Sequence, residues 1–443
     1  MKVVSPKLTV IISIIITVFS IHGLSLEEYL EIVSKNNTSI KLKERVFEKS
    51  KWNRLQSYSD YMPELNISTG LHHSQHLHDR LNAPDADTDA SLVNLRNPSW
   101  SRRVTVSLPV FLGGRRVYGN LIAKEQYDIS EIDIEYERLR IEAMAVAAYF
   151  KAFITQENIK LSEKSLKSAQ ENLRTAKLLF DSGRSTELAY LNFDLNYQMR
   201  RQELENYRME MKSNIAEMSM IAATDIKFES LESSDYEVVE EKFGETTFLT
   251  AYEEHKRYLH ASSPLLEKMR RLENISKYNR KMVWSNFVPS ISFLYTHDFG
   301  SSEKHPFRST YLYEDDIIAL NFSWNLFRGF KDALEWKKAS ADTVISHLNY
   351  VDTKNRQIYT LETVLSNLYL LMEQKSVAEK TVELALKALE QSRVEYESGK
   401  ALYLDLLNAE NNYFESVRNL VFIENSLLNS FYQLRILVGT GER

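Results

Sequence analysis

The chain repeats itself at a fixed spacing, and that constrains its fold more than any other feature. Ser107-Leu-Pro-Val-Phe-Leu-Gly113-Gly-Arg lines up with Ser323-Trp-Asn-Leu-Phe-Arg-Gly329-Phe-Lys, Phe180-Asp-Ser-Gly183-Arg with Tyr396-Glu-Ser-Gly399-Lys, and Leu191-Asn192 with Leu407-Asn408. Each pair is 216 positions apart. An offset that stays constant over so long a stretch leaves no room for insertion, as expected when both copies are rigid helices of one length. Upstream, Tyr61-Met-Pro63 matches Phe287-Val-Pro289 at an offset of 226, so the first copy carries ten extra residues between Pro63 and Phe111. These are expected in the loop between two strands, where insertion is tolerated.

Each copy reads in the same order. A helix from about Leu26 to Tyr58, or about Pro264 to Ser285, stops before a proline and gives way to strands. In the first copy Leu65, Ile67 and Leu71 alternate with polar residues, and Val104, Val106, Leu108 and Val110 alternate with Arg103, Thr105 and Ser107. The second has Ile318, Leu320, Phe322, Trp324 and Leu326 alternating with Asn321, Ser323 and Asn325. A period of two with one greasy and one polar face suits a strand between lipid and a wet lumen, and on one strand alone it suits a soluble sandwich equally. After Gly113-Gly114 and after Gly329 the period becomes helical, with Leu361, Val364, Leu365, Leu368, Leu371 and Met372 on one face. Between Lys331 and Ser398 there is no proline or glycine, which predicts a helix of roughly 100 Å at ~1.5 Å per residue. Both long helices end at Ser-Gly, where glycine can turn the chain back.

The expected organisation is therefore a leader over 1–23, a first repeat over 24–224 and an acidic linker with short local structure over 225–262, followed by a second repeat over 263–443. In the first repeat the strands are expected at about 64–73 and 101–111, the long helix at 115–182 and the return helix at 187–222. In the second they are expected at about 290–299 and 316–327, 331–398 and 404–438. The leader is read from Lys2 and Lys7 ahead of the apolar run Leu8 to Phe19, with Gly23 as a small residue for cleavage. That run is shorter than the ~20 residues a spanning helix needs, and no other stretch qualifies, so any crossing of a membrane is expected as a barrel.

Composition excludes several functions. The net charge of -6 and the absence of a concentrated basic face argue against a nucleic-acid partner. With Cys 0 there is no disulfide, thiolate metal site or lipid anchor on cysteine. No nucleophile–base pair, phosphate loop or His-Glu-x-x-His motif occurs, so an enzyme is not expected and no cofactor is implied.

Two strands per copy give four, too few to close an open barrel, and their edges must pair with other copies. Here the chain resembles the TolC-like outer-membrane efflux family over nearly its full mature length. The residues that carry the likeness are Leu24-Ser-Leu-Glu-Glu28-Tyr, Pro63 and Pro289, Leu108-Pro-Val-Phe-Leu-Gly-Gly114-Arg, Trp324-Asn-Leu-Phe-Arg-Gly329, and the tips at Gly183 and Gly399. The resemblance implies a mainly α protein whose long hairpins form a trimeric α-barrel and whose four strands join a 12-stranded transmembrane β-barrel. It implies a homotrimer in the outer membrane reaching into the periplasm, no catalysis, and docking to a periplasmic adaptor (membrane fusion) protein and an inner-membrane transporter. The alternative is an envelope tethering protein built of coiled coils, which leaves the amphipathic strands unexplained.

By the same resemblance the second tip forms a periplasmic gate. The family aspartate six residues after the tip glycine is matched by Asp405 and the tyrosine three before it by Tyr396, while Asn408 stands where a second aspartate is common. The family arginine falls on Ala401 and its acidic partner on Ala189, so the closing bonds are expected to differ and to draw on Lys400, Arg184 or Glu187. For Asp405 the plain alternative is an acid favoured at a helix start. Glu410, on the same helix, is expected to be less constricted than Asp405. Gly183, Arg184, Ser185, Gly399, Lys400 and Ala401 are the expected adaptor-docking residues, or else plain solvated turns. In the first hairpin loop, His72, His73, His76 and His78 precede Asp85, Asp87 and Asp89. Imidazoles and carboxylates bind transition metals, but this spacing matches no closed site and fits a polar surface loop. Trp100, Trp324, Tyr295, Tyr311 and Tyr313 are candidates for interfacial girdles.

Overall fold

The structure is a computed structural model that describes residues 23–72, 99–227, 230–232, 243, 247–301, 311–398 and 400–438. Its elements are α1 (Leu26–Asn36), α2 (Thr38–Ser59), β1 (Glu64–His72), β2 (Ser99–Leu112), α3 (Arg115–Asp181), α4 (Glu187–Ala222), α5 (Phe248–Ser262), α6 (Pro264–Trp284), β3 (Ser290–Ser301), β4 (Tyr311–Ser323), α7 (Lys331–Glu397) and α8 (Tyr403–Val438). The repeat survives to the residue: α3 and α7 each have 67 residues, α4 and α8 each have 36, and corresponding ends keep the 216 spacing.

Contacts divide the chain into two compact units, one comprising residues up to 41, 138–262 and 359–443, the other 42–137 and 263–358. In the first, the small-residue face of α3 packs tightly, with Ala145, Val146, Tyr149 and Ala152 at 0% exposure. Leu361, Leu365 and Leu368 of α7 and Leu427 of α8 are equally buried, at the positions the helical periodicity marks. Tyr29 of α1 donates to Met218 O (3.1 Å). Residues 24 and 231 form a parallel bridge, and the Tyr149 hydroxyl lies 2.7 Å from Leu24 O and 2.8 Å from Glu232 O. Gln156 closes the same region by donating to Leu231 O (3.0 Å) and accepting from Leu231 N (2.7 Å).

The second unit holds a four-stranded antiparallel sheet in the order β1-β2-β3-β4. Beside it α6 is tied to α3 by Lys268 on Asp133 (2.6 Å) and Arg271 on Asp128 (2.6 Å) and Glu125 (3.2 Å). Each long helix is entered through two left-handed residues: Gly113 (φ 61°) and Gly114 (φ 87°), then Gly329 (φ 60°) and Phe330 (φ 65°). For phenylalanine that conformation costs roughly 1–2 kcal/mol.

Three sequence expectations change. The first helix is broken at Asn37, whose Oδ1 accepts from Ser39 N (2.8 Å) and Ile40 N (3.2 Å) and so caps α2. Its Nδ2 donates to Ile221 O (2.7 Å), which fixes the break against α4. The linker is more ordered than expected, since its last part is the 15-residue α5. The final strand runs 311–323 rather than 316–327: alternation continues to Leu326, but Trp324 already leaves the ladder, and its Nε1 donates to Phe287 O (3.1 Å).

Candidate functional site

Register turns the alternation of single strands into two faces of one sheet. Leu65 pairs with Val106, Val106 with Tyr295 and Tyr295 with Ile318, while Phe293 stands between Leu108 and Leu320. Side chains directly opposite in a ladder share a face, so these residues make an apolar band at the helix end of the sheet, beyond which the same face turns polar, with His297 on Asp316 (2.8 Å) and then Arg102 and Glu314 flanking Phe299. The band is bare in the protomer: Ile67, Ile318 and Leu320 are 70–74% exposed. On the opposite face Asn66, Thr105 and Thr296 form a polar row. The next row crosses Ser68, Arg103, Asp298 and Asp315, with Arg103 Nε donating to Asp298 (2.6 Å). Ile317 is an apolar exception on this side. Among the described residues the outer edges of β1 and β4 carry no ladder partner. Of the expected girdle residues, Tyr295 donates to Asp316 (2.9 Å), and Trp100, Tyr311 and Tyr313 lie within strands. Among the described residues no helix is long and apolar enough to cross a membrane.

Between α3 and α4 the first tip closes on Gly183 (φ 72°), with Arg184 N donating to Leu179 O (2.8 Å) and Gly183 N to Phe180 O (2.9 Å). This is the glycine-dependent helix stop anticipated from Ser-Gly. Gly399 lies outside the described residues. Beyond it Asp405 Oδ2 accepts from Leu402 N (3.0 Å), the helix-start arrangement. Arg184, Glu187, Lys400, Asp405 and Asn408 are exposed, Ser185 and Ala401 half-exposed, and within the protomer no ion pair joins the charged ones to each other.

The bonds that join the two hairpins lie deeper. Asn192 Nδ2 donates to Tyr403 Oη (2.6 Å), and Phe193 meets the rings of Tyr403 (5.5 Å) and Tyr396 (6.4 Å). Burial raises the Tyr396 hydroxyl above the ordinary phenol range. Further along, Glu410 accepts from Ser168 (2.7 Å) and Asn172 (3.1 Å), with Arg393 at 3.9 Å. Arg200 bonds Asn411, and Arg418 bridges to Glu203 (2.6 Å). Glu410 is only 4% exposed within the protomer, because three helices converge on its carboxylate. Sequence reasoning missed Asn192, Tyr403, Glu410, Arg200 and Arg418; the available signal was a polar residue on the apolar stripe of a helix, which Glu410 is.

His73, His76, His78, Asp85, Asp87 and Asp89 lie outside the described residues, and His72 is the last residue of β1. Among the described residues no cluster of three or more His, Asp or Glu is arranged to hold a metal.

The alkaline protease secretion protein AprF of Pseudomonas aeruginosa is 20% identical over 293 residues, covering 66% of this chain and 60% of AprF. The chain thus matches about three fifths of that curated relative's length. The Campylobacter jejuni CmeC outer membrane channel superposes with a TM-score of 0.79 at 17% identity, over 94% of this chain and 86% of CmeC. The outer membrane protein VceC of Vibrio cholerae does so with a TM-score of 0.76 at 15% identity, over 94% and 97%. At such identities the superpositions establish the fold, long helical hairpins carrying a small β part. The family model for outer membrane efflux proteins matches residues 35–223 and 258–440, one segment per repeat, and so the chain belongs to the outer membrane efflux protein family, the TolC-like proteins of the outer membrane.

Proposed function

We propose that this chain is one protomer of a trimeric export duct, which carries cargo out through the outer membrane from the periplasm or from an inner-membrane transporter coupled by a periplasmic adaptor. The observation that carries the reading is the sheet: a bare apolar band on one face, a mostly polar face opposite, and, among the described residues, two open edges. Burying the apolar band in lipid and closing the edges copy to copy satisfies both at once, and a polar lumen results. Three copies bring twelve strands, enough to enclose water. A matched relative named for protease secretion supports an export role.

In this duct the helix tips carry two jobs. Gly183, Arg184, Ser185, Gly399, Lys400 and Ala401 form the turns that meet the adaptor. Asp405, Tyr396, Asn408, Lys400 and Glu187 line the periplasmic gate, and the inter-hairpin bonds of Tyr403, Glu410 and Arg418 hold it closed. The test is assembly and conductance. Protein purified from outer-membrane fractions should migrate as a heat-dissociable trimer and form discrete channels in planar bilayers. A stable, monodisperse monomer with intact strand content would refute the proposal.

A further inference from the structure

The two copies of the repeat differ at one turn, and nothing in their shared geometry requires the difference. The first copy enters its long helix through Gly113-Gly114; the second through Gly329-Phe330, in the same left-handed conformation. Glycine adopts it freely and phenylalanine does not, so the ring is held there against backbone strain. Phe330 is 71% exposed and meets Phe327, also 71% exposed, edge to face at 5.4 Å. Leu326 beside them is 77% exposed, and Arg328 clamps the turn by bonding Asp332. A rigid apolar knob thus stands at the foot of β4 with nothing of its own protomer upon it.

At the opposite edge of the sheet a cavity of about 690 Å³ opens where α2 passes into β1 and β2 into α3. Met62, Pro63, Pro109, Leu112 and Met282 supply apolar walls. Arg116 also lines it, its guanidinium lying over the ring of Tyr61 (5.3 Å) with one nitrogen buried and without a hydrogen-bond partner. Within one chain, knob and cavity are separated by three strand spacings, about 14 Å. Between copies the separation disappears. β1 starts and β4 finishes at the helix end of the sheet, so an antiparallel β4–β1 ladder sets the foot of one β4 beside the start of the next β1.

We infer that Phe327 and Phe330 of each protomer seat in the α2–β1 cavity of its neighbour, locking the barrel at its junction with the helices. The inference rests on the trimeric reading and adds to it a directional contact. Because the chain has no cysteine, it can be tested with an introduced pair. Met62→Cys with Phe330→Cys should oxidise to a ladder ending at covalent trimer on non-reducing gels. Met62→Cys with Leu348→Cys, the latter further along α7, should not. Trimers by light scattering without the ladder would overturn the knob and leave the duct standing; no trimer would overturn the duct itself. Phe330→Gly supplies a second measure, since it relieves strain and deletes the ring together. A seated ring predicts that the dissociation temperature of the trimer falls by roughly 2–4 °C. An unchanged or higher temperature, or labelling of Phe330→Cys by a lipid-soluble maleimide in proteoliposomes, would show a ring that is idle or in lipid, and would refute the inference.

Discussion

Removing the Glu410 carboxylate should loosen the two hairpins from each other without unfolding the chain. Glu410→Ala leaves two donors unmatched, the Ser168 hydroxyl and the Asn172 amide, both half-buried. At the lower end of the usual penalty for an orphaned donor, suited to groups that water can still reach, the loss is about 2 kcal/mol per protomer. That corresponds to roughly 30-fold in any equilibrium that separates α8 from α3. Glu410→Gln, which keeps one acceptor, should lose about half as much. The measurements are hydrogen exchange of the amides around Ser168 and Glu410 and open-state dwell times in planar bilayers. Both should move in Glu410→Ala, more weakly in Glu410→Gln. A double-mutant cycle with Asn172→Ala isolates the bond and should give a coupling of about 1 kcal/mol. Strict additivity would mean that the carboxylate does not join the hairpins, and the latch reasoning would fail.

Three further outcomes are expected. Asp405→Asn should weaken cation preference and block by multivalent cations from the periplasmic side, because three copies would ring the gate; Glu390→Gln, on the exposed surface of α7, is the comparison, and equal responses would reduce Asp405 to a helix-start acid. Deleting residues 73–89 should leave trimer assembly intact, since the β1–β2 ladder spans Glu64 to His72 without them, and failure to assemble would contradict that. Burial, aided by Glu217, pushes the Tyr29 hydroxyl above the ordinary phenol range, and burial does the same for Tyr149. Their contribution to stability is therefore complete below the unfolded value of about 10 and is lost as pH rises beyond it, when only the unfolded chain can ionise. The Tyr29→Phe, Tyr149→Phe double variant should lose less stability per pH unit above 10 than the parent in alkaline denaturation; an identical slope would contradict this.

By itself the sequence determined the scaffold. The 216-residue offset sets helix lengths to the residue, because a helix advances a fixed distance per residue and an inserted residue would rotate every later side chain off its face. Strand alternation sets the two faces for the same kind of reason: with a period of two, a slip of one residue would turn the greasy side to water. Some features needed the tertiary structure. Asn37 breaks a helix because Ile221 O lies within reach of its amide, a neighbour 184 residues away. Trp324 leaves a strand whose alternation continues because the Phe287 carbonyl is there to accept its indole. Glu410 looks, by residue type, like any charge on a solvated helix, and it is buried because α3 brings Ser168 and Asn172 against it. Periodicity fixes which way a side chain leaves its own helix; what it meets there depends on the packing of distant segments, and that decided where the hairpins are bonded.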